Sequence, residues 1–383
     1  MVSLGCKVNR AEVDSFSAKL ISEGWALTEP EAADLVIINT CTVTSLADKK
    51  TRQTVRKVCK ESAADKIIVT GCASAIEPDI YKEMDSRIEI VTKRDMQNAS
   101  AKDMSILAGG DFRTRAALKI QDGCNNACTY CIVHTARGSA WSMPHEQVEE
   151  SVSSMLDAGI KEIVLSGVDI GAYDDAGFGL VDLCKSLLKI IGERDARIRI
   201  SSIEPNNVSS ELIELLANAE GKVCRHLHMP LQSGSSKVLA EMDRHYSANE
   251  YLDIVEKLKA KVPSIALSTD IIVGFPGESD EDFKASADLA HKCGFMKIHV
   301  FPYSKRSGTP AAERADQVAD EIKAARAAEL RKLSDELAKA DLDKRHGTDE
   351  FVLVENELAR TESYHLIDAP KGAKPGDLIK TEL

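Results

Sequence analysis

No stretch of the 383-residue chain approaches the ~18 consecutive apolar residues that a bilayer-crossing helix needs. The start, "MVSLGCKVNR", lacks the basic segment and long apolar segment of a secretory signal. No membrane association is expected, and a cytoplasmic location follows as the default. The chain also lacks an excess of positive charge. Its net charge is −12, which argues against broad, nonspecific nucleic-acid binding. Internal repeats, low-complexity tracts, a Walker loop and a GxGxxG motif are all missing. A composition of 43% hydrophobic and 29% charged residues is that of a globular chain with a large core, long enough for two or three domains.

Cysteine is not scarce: there are ten. In a reducing compartment that number points to metal or catalytic chemistry more than to disulfides. Three of them, Cys124, Cys128 and Cys131, fall within "GCNNACTYC" at spacing CxxxCxxC. A tetrahedral zinc site would want a fourth ligand. Three thiolates on a short loop can instead wrap one face of an iron–sulfur cube and leave one iron open to a ligand.

Around this loop the chain reads as α/β. In residues 1–92, "MVSLG", "LVIINTC" (35–41) and "KIIVTGC" (66–72) read as strands, with helices over 10–24 and 45–61. Such alternation predicts a parallel sheet covered by helices. Residues 93–116 read as a linker. From 117 to 311, candidate strands 118–121, 162–167, 197–203, 225–231, 265–274 and 296–304 alternate with helices 146–158, 178–191, 209–219, 248–261 and 279–293. Six β/α units fit a partial parallel barrel with functional groups at the C-terminal strand ends; periodicity alone leaves a doubly wound open sheet as the alternative. Residues 312–345 read as one long helix, and 346–383 as a small all-β module with five Lys/Arg (Arg345 included) against eight Asp/Glu.

Cys6, Cys41 and Cys72 are 35 and 31 residues apart and share no local motif. Each closes a predicted strand. In a parallel sheet such ends share one edge, so three thiols can converge there on a second cluster. Cys59, Cys184, Cys224 and Cys293 read as structural. "KKTRQTVRKVCK" (49–60) carries six Lys/Arg and no acid. It reads either as a solvated helix face or as an RNA contact through Lys49, Lys50, Arg52 and Arg56.

CxxxCxxC with Tyr130 before the last cysteine resembles the radical S-adenosylmethionine (SAM) enzymes. With "LGCKVN", "INTCTVT", "VTGC", "LKIQDGCNNACTYCIV", "SSIEP", "PLQSGS" and "FPYSKRSGT", the whole chain resembles the methylthiotransferase family, most of all its MtaB branch. The resemblance implies an N-terminal three-cysteine domain, a partial (β/α)6 radical-SAM barrel and a C-terminal TRAM-like module. It implies two 4Fe-4S clusters and SAM, with Tyr130, Ser166, Gly167, Ser202, Glu204, Gln232, Asp270 and Gly274 around SAM. The implied partners are a tRNA anticodon loop and an electron donor such as flavodoxin or ferredoxin, and the chain is expected to be a monomer. The implied reaction places a methylthio group on carbon 2 of N6-threonylcarbamoyladenosine. That C–H is not acidic, so no Ser/His/Asp or paired-carboxylate set is needed. The alternatives are isopentenyladenosine in tRNA, an aspartate of a ribosomal protein, or a noncatalytic iron–sulfur or RNA-binding role.

Three departures from the family pattern stand out. Met1 lies only five residues from Cys6, so the first strand is expected to be truncated or its start misassigned. After Arg137-Gly138 comes "SAWSM", where Trp141 is expected to pack, or else to stack on a ligand. The tail is short and acidic.

Overall fold

The computed structural model describes residues 1–93, 96, 100, 103 and 114–383. Most of the expected linker, 93–116, therefore lies outside the described residues.

The N-terminal domain is a four-stranded parallel sheet in the order β1 (Val2–Ser3), β2 (Leu35–Thr40), β3 (Lys66–Gly71), β4 (Ile88–Ile90). The central strands are rich in Val and Ile. Val36, Ile38, Ile67 and Val69 are buried with Val55 and Val58 of α2 (Ser45–Glu61). Helix α1 (Lys7–Ser22) starts and ends earlier than its expected 10–24, with Cys6 in the N-cap position. Residue Cys72 opens the short helix α3 (Cys72–Ile76).

Six parallel strands follow: β5 (Arg115–Lys119), β6 (Glu162–Ser166), β7 (Arg197–Ile200), β8 (His226–His228), β9 (Ala266–Val273) and β10 (Lys297–Pro302). β5, β6 and β7 pair in order, as do β8, β9 and β10. Bridges Ile198–Val223 and Ser202–His228 join the two halves, giving the partial (β/α)6 barrel. The first strand runs from 115 to 119 rather than from 118 to 121, since Gln121–Asp122 leaves it to form a hairpin with Trp141–Ser142. The short helix α4 (Val133–Arg137) lies within that hairpin loop. Outer helices α5 (His145–Asp157), α6 (Leu180–Ile191), α7 (Ser210–Asn218), α8 (Ala248–Lys261) and α9 (Asp280–Cys293) match the sequence reading within about two residues. Ser247 and Ser279 start α8 and α9 with capping boxes.

The long helix α10 spans Asp320–Arg345 and packs on β10. It starts eight residues later than expected: a separate turn fills 310–313, and the Arg314–Asp316 ion pair follows it. The tail is an antiparallel sheet of β11 (Asp349–Val354), β12 (Leu358–Thr361), β13 (Leu366–Asp368) and β14 (Leu378–Glu382).

This module closes the end of the barrel where the strands begin. Glu162 is fully buried and takes Arg197 Nε at 2.7 Å and Arg199 Nε at 2.8 Å. The remaining guanidinium N–H groups donate to carbonyls of Phe351, Arg360, Thr361 and Glu362. Burial alone would neutralise Glu162, but Arg199 and Arg197 hold its carboxyl well below the ordinary range. Among the described residues, no helix is long and apolar enough to cross a membrane.

Candidate functional site

The barrel's other end carries the chemistry. The cysteine loop is fixed on both flanks. Cys124 N–H donates to Gly138 O at 3.1 Å, Thr129 N–H to Met242 O at 3.1 Å, and Cys131 N–H to Cys128 O at 3.0 Å. At Gly123, φ is +71° and a Cβ would overlap the Ser139 carbonyl, so only glycine allows this entry to the loop. Gln121 acts as a strut. Its amide donates to the carbonyls of Asp122 and Gly123 at 3.0 Å, and its Oε1 accepts from Val168 N–H at 2.9 Å and Asp169 N–H at 3.0 Å. Gln121 thus ties the loop to the segment that follows β6.

Cys124, Cys128 and Cys131 line a cavity of about 270 Å³. Among the described residues, no three cysteine sulfurs lie within 4.8 Å of one another. A single zinc would draw thiolates to about 3.8 Å apart, given Zn–S bonds of about 2.3 Å. The three sulfurs are thus set wider than one zinc requires. Burial pushes all three thiols up, Cys131 to about 11, so a metal must displace their protons to bind. Backbone N–H groups of Asn126 and Val133 already point at Cys124 and Cys131 sulfur, each at 3.4 Å. The donor set therefore fits a 4Fe-4S cluster with one open iron.

Tyr130, Ser202, Glu204, Gln232 and Asp270 share the wall of this cavity with the three cysteines. Gln232 holds a positive φ of +66° while its backbone pairs with β9 on both sides. Ser166, Gly167 and Gly274 are not among its lining residues. Ser166 is buried and its hydroxyl has no partner, Gly167 backs onto Gln121, and Gly274 is covered by Lys323 of α10.

Arg244, which the sequence reading missed, is the cation of the site. It pairs with Glu204 and reaches Cys128 sulfur at 3.4 Å. Burial works against its charge, but Tyr130, Tyr246, Glu204 and Cys128 together hold it firmly protonated. No local signal marks it, since it lies 116 residues from Cys128.

The second set assembles through strand register. Ser3 pairs with Asn39 and Thr40 with Gly71, so Cys41 and Cys72 each follow a paired residue at one edge. Cys41 lies within the field of both Cys6 and Cys72, and burial raises its thiol. A Cβ on Gly5, at φ +98°, would overlap Cys41 sulfur. This donor set, too, fits a cluster bound by three thiolates.

On α2, Lys49, Lys50 and Arg56 are exposed, whereas Arg52 pairs with Glu77 at 3.6 Å. The helix start is clamped to the barrel by Ser45–Ser304 (2.7 Å) and Asp48–Arg306 (2.5 Å). Val43 and Thr44 therefore form part of the cavity wall. Trp141 is 47% exposed and lines a different cavity, beside Lys93, Lys119 and Arg137. Cys184, Cys224 and Cys293 are buried, and Cys59 is half-buried on α2.

Residues 118–290 match the Radical SAM superfamily and residues 1–93 match "Uncharacterized protein family UPF0004". The chain is 39% identical to the threonylcarbamoyladenosine tRNA methylthiotransferase MtaB of Bacillus subtilis (strain 168), over 88% of this chain and 80% of that one. It is 34% identical to the MtaB of Chlamydia pneumoniae, over 95% and 88%. It is also 35% identical to the tRNA-2-methylthio-N(6)-dimethylallyladenosine synthase of Endomicrobium trichonymphae, over 92% and 87%. Among solved structures, the radical SAM methyltransferase TsrM from Kitasatospora setae superposes with a TM-score of 0.51 at 14% identity, over 77% of this chain and 67% of that one. That likeness shows the fold alone. With its cysteine loop at the barrel mouth and its relatives matched over most of their length, the chain belongs to the radical-SAM tRNA methylthiotransferase family.

Proposed function

We propose that the protein adds a methylthio group to carbon 2 of N6-threonylcarbamoyladenosine beside the tRNA anticodon. The observation that carries this reading is identity of 34–39% to two MtaB enzymes over at least 80% of their length, joined to two separate three-cysteine sets on one chain. Cys124, Cys128 and Cys131 would hold the cluster that binds SAM, and Cys6, Cys41 and Cys72 a second one carrying the sulfur. Held by Cys124, Cys128 and Cys131, a reduced cluster with SAM would supply the radical chemistry that an unactivated C–H demands.

The chain's own residues prepare that site. Ser202, Glu204, Gln232 and Asp270 offer polar groups to SAM, and Arg244 fixes Glu204. Ile272, Val43 and Phe301 give the cavity an apolar side. An anticodon loop supplies an unstacked base, and Lys49, Lys50 and Arg56 lie on the helix whose start forms the cavity mouth, placed to meet its phosphates. An electron donor of the flavodoxin or ferredoxin type would serve the reduction.

The same apolar wall favours a second reading, an isopentenyl-type substituent, matching the relative at 35% identity. Nucleoside mass spectrometry of tRNA from cells lacking the gene decides between them. Loss of methylthio-threonylcarbamoyladenosine, with its unthiolated precursor accumulating, is expected. An unchanged level of it, or loss of the methylthio-isopentenyl nucleoside instead, overturns the first reading.

A further inference from the structure

Between the N-terminal domain and the barrel lies a charge network in which the Glu12 and Arg137 side chains are buried and Lys93, Lys119 and Asp122 are partly exposed. Glu12 of α1 is fully covered. It meets Lys93 at 3.0 Å, Lys119 at 3.1 Å and Arg137 at 3.1 Å. Asp122 meets Lys119 at 3.0 Å and Arg137 at 2.6 Å. Among the described residues, then, three cations face two carboxylates. Neutral groups complete the set: Arg137 Nη2 donates to Asn9 Oδ1 at 2.6 Å, and Asn39 Nδ2 to Glu12 at 2.8 Å.

The unbalanced charge has a direction. Lys93 Nζ lies 3.7 Å from Cys72 sulfur and 3.4 Å from Asn9 Oδ1, and Cys6 sulfur approaches that same oxygen at 3.8 Å. Cys72 and Cys6 are among the groups whose field reaches Arg137. Burying an uncompensated cation is costly. A cube bound by three thiolates is a net anion, and more so once reduced. The surplus charge is therefore matched to an occupant of the second cysteine set.

We propose that Arg137 and Lys93 are positioning residues for the second cluster, which their charge stabilises in its reduced, more anionic form. The proposal rests on the two-cluster reading above. Arg137 closes α4, which begins two residues after Cys131, so the same side chain ties the first cysteine loop to the N-terminal domain.

The test is an anaerobic redox titration of the reconstituted full-length enzyme followed by electron paramagnetic resonance. The signal that added SAM leaves unaltered reports the second cluster. Replacing Lys93→Gln or Arg137→Gln should shift its reduction equilibrium about tenfold toward the oxidised form, about 59 mV for one electron. Arg137→Lys should hold the wild-type value. Loss of the cluster from Arg137→Gln with full loading of Arg137→Lys also supports the charge role. Equal potentials in all variants, or equal cluster loss in Arg137→Gln and Arg137→Lys, overturns it. Only one cube's iron in the wild type would overturn the two-cluster reading itself, a failure separate from either of these.

Discussion

The loop cysteines and the strand-end cysteines are placed by different routes. Cys124, Cys128 and Cys131 sit on eight consecutive residues, held by Gly123, Gln121 and backbone hydrogen bonds. Cys6, Cys41 and Cys72 come from segments more than thirty residues apart and meet only when β1, β2 and β3 are in register. The loop carries most of its ligand geometry in local sequence. The second set carries it in the sheet and in the ion network between the domains. Damage to the N-terminal fold should therefore separate the two.

The largest separation comes from the ligands. Cys128→Ala should abolish SAM cleavage, and Cys72→Ala should leave SAM cleavage in place while abolishing methylthio transfer. Each should retain about four irons per chain where the wild type holds about eight. Iron analysis beside a SAM-cleavage assay checks both. Loss of SAM cleavage in Cys72→Ala would mean that the two sites are not separable.

Next in size is Glu12, which docks the domain bearing the second set. Burial alone would raise its pKa, but Arg137, Lys93 and Lys119 overcome this and hold the carboxyl well below its ordinary range. Its stabilisation is therefore present above an ordinary value of about 4.3 and is lost as pH falls toward the depressed folded value. Glu12→Gln should cost about 3–5 kcal/mol near neutral pH, the scale for breaking a buried ion pair. The gap to wild type should close as the pH drops below about 4. Thermal melts across that range give the measurement; a gap constant with pH would show that Glu12 acts by packing rather than by charge.

The contrast also explains what the sequence made legible. CxxxCxxC is a local spacing, so the loop stood out at once. The strand-end cysteines could be inferred only by treating two Val/Ile-rich strands and the short "MVSLG" as one parallel sheet. Arg244 had no local signal, because its partners Glu204 and Cys128 lie on other elements. The alternation in "RIRI" would pass for a half-exposed strand, yet Arg197 and Arg199 are buried. They are satisfied by Glu162 and by carbonyls more than 150 residues further along, a pairing that exists only once the C-terminal module has closed the barrel. Gly274 reads as a place for a ligand to approach, but a side chain of α10 fills that space.

The smallest effects, and the sharpest discrimination, come from the two glycines beside the cysteines. Each holds a positive φ, and at each a Cβ would meet a specific neighbour: Cys41 sulfur for Gly5, the Ser139 carbonyl for Gly123. Alanine at either should cost about 1–3 kcal/mol in backbone strain, so global stability alone cannot tell them apart. The clusters can. In Gly5→Ala the added carbon displaces the Cys41 thiol, so the signal that SAM leaves unaltered should weaken while SAM cleavage persists. In Gly123→Ala the strain falls on the entry to the cysteine loop, so SAM cleavage should fall and the second signal should remain. If both substitutions weaken both signals equally, the two cysteine sets are one cooperative unit, and the separation between local and assembled ligands does not hold.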